Sequence, residues 1–322
     1  KLGDSRAAVE TYVRIRRLHY GTDEALVAGL DEAEILQSQG RAAAALDLYL
    51  KVVEQAASAS SHDNPWLPLT ELRNRLYAAQ QRFRIAEQPA AAMAMCDVFG
   101  PIFPPAELTE IEAKTHKAWG DSLLRETAGR QLTGDAVTPA EGRARLRVAA
   151  EAYRRLATLR YATNHYPDDL WKSGECFIRG QNYEAALEVF EQYLQTAPRK
   201  QHPQGLAGVG ECHLALGHFH QALNVLEQCI RLYPEHPASY RARLLASHVC
   251  TQLNKTAEAK KLLGDNLHNS ALTPRSAQWQ RSLFAYGTLL FKEAMAQEAL
   301  SRSNGVDSQD ASVRQQGLDY LY

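Results

Sequence analysis

The sequence carries no excess of either charge. Lys and Arg number 36, Asp and Glu 37, and the formal net charge is −1. A near-neutral chain lacks the electrostatic footprint of a nucleic-acid or anionic-membrane binder. It also has no run of about 18 apolar residues, so no transmembrane helix is readable and no direct membrane insertion is expected. The cysteines are few and odd in number: Cys96, Cys176, Cys212, Cys229 and Cys250, with no Cys-x-x-Cys pair. That argues against a disulfide framework or a zinc ribbon. Unpaired thiols favour a reducing compartment.

Catalytic signatures are missing as well. There is no Gly-x-Gly-x-x-Gly, no Gly-x-x-x-x-Gly-Lys-Ser/Thr and no Gly-x-Ser-x-Gly. His116 and the many carboxylates form no recognisable catalytic set, so the chain is expected to have no enzymatic activity and no cofactor. It begins Lys1-Leu2-Gly3-Asp4 without a Met or a basic-then-apolar leader. It closes on an apolar stretch, Gly317 to Tyr322. Both ends are expected to be cuts from something longer.

What is present is ordinary for a folded chain: 45% hydrophobic and 23% charged residues in 322. That length suits two globular domains or one long repeat array. Periodicity favours the array. Gly174 and Gly210, Ala186 and Ala222, and Pro198 and Pro234 are each 36 residues apart. Between them, bulky apolar residues recur, Phe190 and Tyr193 in one copy, Leu226 and Cys229 in the next. A small residue on a first helix permits close approach of a second. A small residue on the second faces it, a bulky one fills the space beyond, and proline stops the second helix.

This pattern resembles the tetratricopeptide repeat, a helix-turn-helix unit of about 34 residues. The resemblance implies an all-α fold, a right-handed α-solenoid of stacked helix-turn-helix units, since each unit needs neighbours to bury its apolar face. With that key, the expected units lie at 22–60, 66–105, 106–164, 167–200, 203–235, 238–271 and 275–304. The units at 66–105, 106–164 and 238–271 are degenerate matches. The unit at 106–164 contains a Gly-, Thr- and Pro-rich segment, 127–141, expected as an inserted loop or a lengthened helix pair. Residues 1–20 read as a second helix without its first, and residues 307–322 as a first helix without its second.

The resemblance also implies a binding groove lined by the first helices. The family's clamp for a C-terminal carboxylate uses Lys and Asn one helical turn apart in consecutive units. Here only Lys117 stands at such a place, and its partner is Asp121, so that clamp is not expected. The residues placed on the groove are Glu34, Tyr77, Gln81, Arg84, Asp121, Arg125, Trp171, Glu175, Arg179, Glu211, His248, Phe284 and Phe291. Aromatic anchors within a polar surround make a binding surface. The carboxylates among them point to a protein or peptide segment with apolar anchors and basic residues. Packing between neighbouring first helices is the competing role for the aromatics.

Other features favour structure over chemistry. Cys212, His213, His218 and His220 are metal-ligand types. However, Cys212 and His213 fall inside a first helix, and His213 replaces a packed aromatic, so no metal site is expected. The five cysteines occupy places that want a small hydrophobe. Arg14-Ile15-Arg16-Arg17 spreads its charges over more than one helix face and is expected to be solvated. Asn64-Pro65-Trp66-Leu67-Pro68 reads as a turn into a helix, stapled by Trp66.

Three functions fit. The chain is expected to be a non-catalytic interaction scaffold binding a partner segment in its groove. The alternatives are a structural subunit of a large assembly, of the cell-envelope kind, docking through its ends and convex face, and a regulatory module of an enzyme outside these residues. The Ala-, Arg- and Gln-rich flavour favours a bacterial source, in the cytoplasm or the periplasm and envelope. Partner identity and oligomeric state are not legible.

Overall fold

The computed structural model describes residues 5–58, 64–132 and 139–303. Among the described residues there are fourteen α-helices, one short 3-10 turn and no strand. Two compact units divide the chain, Lys1–Gln181 and Asn182–Tyr322. The first holds α1 (Ser5–Leu18), α2 (Asp23–Ser38), α3 (Ala42–Ser58), α4 (Leu69–Ile85), α5 (Pro89–Val98), α6 (Pro105–Leu132), α7 (Ala140–Leu159) and α8 (Tyr166–Arg179). The second holds α9 (Tyr183–Thr196), α10 (His202–Ala215), α11 (Phe219–Leu232), α12 (Pro237–Gln252), α13 (Thr256–Leu267) and α14 (Ala277–Ser303).

Local chemistry sets many of these boundaries. Thr22 caps α2: its hydroxyl accepts from the Ala25 N–H, and Asp23 and Glu24 sit in the first turn. Asn182 caps α9 in the same way, through the Ala185 N–H. Such caps satisfy donors that the helix itself leaves open. Prolines stand in the first turn of α5, α8, α10 and α12, where their missing N–H costs nothing. α9 ends two residues before Pro198, and α11 two residues before Pro234. Proline disfavours helix in the residue before it and cannot continue the ladder.

In the first unit, α2/α3, α4/α5 and α6/α7 are antiparallel-type hairpins, with α1 on α2 and α8 on α7. Leu30, Ala33, Ala45, Tyr49, Leu76 and Phe83 form the centre of its core. Tyr49 meets Phe83 edge-on, ring centres 6.2 Å apart. Each large side chain buried this way contributes about 1.5–3 kcal/mol. In the second unit, α10/α11 and α12/α13 are hairpins, α9 packs on α10, and α14 packs on α13 and α12. Ala222, Leu226, Cys229, Ala246, Ala259 and Leu263 are buried there together. Leu226 fills the space beside Gly210 of its own hairpin. Within each unit the architecture is the all-α packing of helical hairpins that the repeat implied.

Three local expectations are decided by the structure. Of the two readings of segment 127–141, the lengthened helix pair holds over its described residues and the inserted loop does not. α6 continues to Leu132 and α7 starts at Ala140, with residues 133–138 outside the described ones. Close packing favours the longer helices. A β-carbon on Gly120 would lie 2.8 Å from both the Gly142 carbonyl oxygen and Leu146 Cγ, so α6 and α7 run nearly backbone to backbone. Thr127 is buried, and its hydroxyl donates back to the Leu123 carbonyl at 2.7 Å, which keeps it inside the helix.

The segment 275–304 is not a hairpin. Its residues 277–303 form the single helix α14. From Lys292 to Glu298 there is no Gly, Pro or Asn, and strong helix formers run on without a stop. Trp66 does not staple the α3–α4 connection either; it is 70% exposed. Asn64 does that work. Its side-chain oxygen accepts from the Trp66 and Leu67 N–H groups at 2.9 and 3.1 Å, and Leu67 is the buried side chain. The expected half unit at 307–322 lies outside the described residues, as do residues 1–4 of the half unit at 1–20.

Candidate functional site

In the second unit, a cavity of about 530 Å³ opens between α12 and α14. α12 contributes Leu244, His248 and Thr251, spaced four and three residues apart and so on one helix face. α14 contributes Arg281, Phe284, Ala285, Thr288, Leu289 and Lys292 by the same periodicity. The floor is apolar, formed by Leu244, Ala285, Leu289 and the Phe284 ring. Polar groups stand around it. Phe284 is 63% exposed, among the most open of the large apolar residues. The His248 side chain stands exposed at the cavity.

A buried polar network holds the two walls apart and in register. Asn266, at the end of α13, is fully buried. Its amide donates to the Tyr240 carbonyl of α12 at 2.9 Å and to the Ser282 hydroxyl of α14 at 3.0 Å. Its oxygen accepts from Arg243 at 3.5 Å. Trp279 adds a bond from its indole N–H to the Leu267 carbonyl at 3.2 Å. Lys260 of α13 pairs with Glu293 of α14. None of these cross-links was singled out in the sequence.

The sequence-derived groove residues fall into separate groups. His248 and Phe284 meet at the α12/α14 cavity. Phe291 is half-buried on α14 and does not line it. In the first unit, Arg84, Asp121 and Arg125 meet around a cavity of about 360 Å³ between α4/α5 and α6. Tyr77 lines another of about 290 Å³ with Arg73 and Lys114, yet it also packs on the core. Gln81 and Trp171 are half-buried, and Glu175 is exposed.

The carboxylates are mostly already paired within the chain. Arg75 holds Asp31 at 2.5 Å and Glu34 at 2.9 Å, tying α4 to α2. Asp121 takes Arg179 at 2.5 Å and Lys117 at 3.2 Å. Arg241 pairs with Glu211. Arg125 pairs with Glu87 at 3.1 Å. Glu34, Asp121, Arg125, Arg179 and Glu211 therefore serve internal cross-links. Partners 30 to 58 residues away in sequence made these pairs invisible in the pattern.

The remaining chemistry is structural. All five thiols are buried. Burial pushes Cys96, Cys176 and Cys212 up to about 12 and Cys250 up to about 11, so thiolate is scarce at neutral pH. His213 is half-buried, with its Nδ1 3.4 Å from Nδ1 of His218. Among the described residues, no three His, Cys, Asp or Glu side chains are placed to share a metal ion. Among them, too, no helix is long and apolar enough to cross a membrane. Arg16 of the basic patch pairs with the buried Glu32 at 2.8 Å.

With this geometry in place, comparison with known proteins adds the following. A family model described as anaphase-promoting complex, cyclosome, subunit 3 matches residues 180–266. Among solved structures, the C-terminal part of a TPR repeat-containing protein from Cytophaga hutchinsonii is similar, with 13% identity and a TM-score of 0.48. That match covers 91% of this chain and 93% of the other. The apo form of RapI is similar at 9% identity and a TM-score of 0.47, covering 98% and 97%. The hetero-tetramer Cut9–Hcn1 of the APC/C is similar at 14% identity and a TM-score of 0.38, covering 90% of this chain and 47% of that one. No curated protein matches the sequence. The family model spans α9 to α13 only, and the described residues form helical hairpins like those of tetratricopeptide-type repeats. Stacked repeats of this kind offer extended surfaces for binding other molecules.

Proposed function

We propose that the chain is a non-catalytic scaffold that holds a segment of a partner protein against α12 and α14. One observation carries this reading: the α12/α14 cavity, with the Phe284 ring open beside an apolar floor. An exposed aromatic over an apolar floor and within a polar rim has the anatomy of a binding hot spot. The cavity is of the size that encloses a bulky side chain or two. The walls are pinned by the Asn266 network, so the site needs little ordering on binding, which favours affinity.

The test is site-directed photo-crosslinking in native extract. A photoreactive side chain is placed at position 284 and, as a control, at position 261, exposed on α13. A protein adduct formed from 284 and absent from 261 supports the reading. Equal adducts from both positions, or none from 284, reject it.

A further inference from the structure

The α12/α14 cavity has a charge of one sign. Arg281 and Lys292 line it, and among the described residues no carboxylate does. Among the described residues neither cation forms an ion pair. The nearby Glu293 is engaged by Lys260. The two cations bracket the apolar floor: eleven positions along α14 separate them, a rise of about 16 Å, with Phe284 and Leu289 between. This contrasts with the other candidate groove charges, where Glu34, Asp121 and Glu211 each already have an arginine.

We infer that the occupant of this cavity is an acidic amphipathic peptide segment: one bulky apolar side chain on the Phe284–Leu289 floor, with carboxylates on both sides reaching Arg281 and Lys292. The inference rests on the scaffold reading above and gives it a partner chemistry. It reverses the expectation of a basic partner, which came from carboxylates that the fold uses internally. The apolar anchor supplies most of the affinity, and the flanking charges supply choice of partner and association rate. Two cations over an apolar floor are too few for a nucleic-acid backbone, which is bound through many phosphate contacts.

The experiment uses synthetic peptides that share a central Trp or Leu anchor and carry flanks of Glu, of Lys or of Ser. Binding to the whole chain is read by fluorescence anisotropy. The Glu-flanked peptide is expected to bind about tenfold more tightly than the Lys-flanked one, the scale of a few exposed charge pairs. Raised salt should narrow that gap. In the Arg281→Glu/Lys292→Glu variant the preference should invert. Both side chains are exposed, so the variant should keep the parent's helical circular dichroism and melting midpoint. Binding that requires the anchor and is lost in Phe284→Asp, yet ignores the flanks, overturns the charge inference and leaves the scaffold reading standing. Peptides that bind no better to the parent than to Phe284→Asp overturn both. Displacement by a short single-stranded DNA as effective as by the acidic peptide overturns the peptide assignment.

Discussion

Gly210 and Leu226 touch across the α10/α11 hairpin so closely that a β-carbon on the glycine would stand 2.5 Å from Leu226 Cγ. Both residues are buried. The helix crossing therefore depends on the absence of one methyl group.

Gly210→Ala should destabilise the second unit by about 1–3 kcal/mol, because overpacking outweighs the helix propensity that alanine adds. Leu226→Ala alone should cost about 2–5 kcal/mol through the cavity it leaves. The double variant should cost less than the two singles together, since the new methyl occupies part of that cavity. Thermal melts of the three variants check this. Additive costs would show that the two side chains do not share the same space.

Asn266→Ala should cost about 1–3 kcal/mol by stranding the Tyr240 carbonyl and Ser282 hydroxyl. Its more telling effect is local. Hydrogen exchange should accelerate at the start of α14 and in α13, while α2 to α5 of the other unit keep their protection. Uniform acceleration along the chain would contradict a local pinning role.

Glu110 carries a pH signature. Burial pushes its carboxyl up, but Lys114 and Arg160 outweigh that and hold it at about 2. A depressed folded-state pKa stabilises the fold fully above the unfolded value, and that stabilisation fades as pH falls towards 2. At neutral pH Glu110→Gln should cost about 1–2 kcal/mol, a modest figure because the pair is partly solvated. The gap between parent and variant should close between about pH 5 and pH 2. Melting midpoints across that range test the sign. A gap that stays constant with pH would remove the ion pairs as its cause.

The thiols should be silent in the native chain. All five are buried, with the pKa raised. An aromatic disulfide reagent at neutral pH should label none rapidly, and all five after denaturation. Rapid native labelling at Cys250, whose thiol is raised only to about 11, would reveal local opening of α12 or α13.

The helical hairpins were readable because their punctuation is local. Gly210, Ala222 and Pro234 each act within a few residues or across one tight turn. α14 misled because Tyr286-Gly287 imitates the start of a repeat, while the absence of any stop between Lys292 and Glu298 carries less visual weight than a glycine. Residues 127–141 left a loop and a lengthened helix pair both open, because their composition suggests a loop whereas the Gly120–Gly142 crossing is a tertiary fact. The site was half legible. Phe284 and His248 follow from helix phase. Arg281 and Lys292 carry no mark in the sequence, and Glu34, Asp121 and Glu211 read as open to a partner because their arginines stand in other helices. Charge pairing between helices leaves no period in the sequence.

Most helices here touch the helices next to them in the chain. Little of the fold waits for residues made much later. Loops to be closed are short, and the entropy of closing them is small. The chain can therefore acquire structure as it leaves the ribosome, with α2 and α3 packed while α12 is still unmade. The α12/α14 cavity is completed only after α14 is made, since α14 is its second wall. A synthesis that stops before residue 277 would leave folded hairpins beside a cavity with one wall.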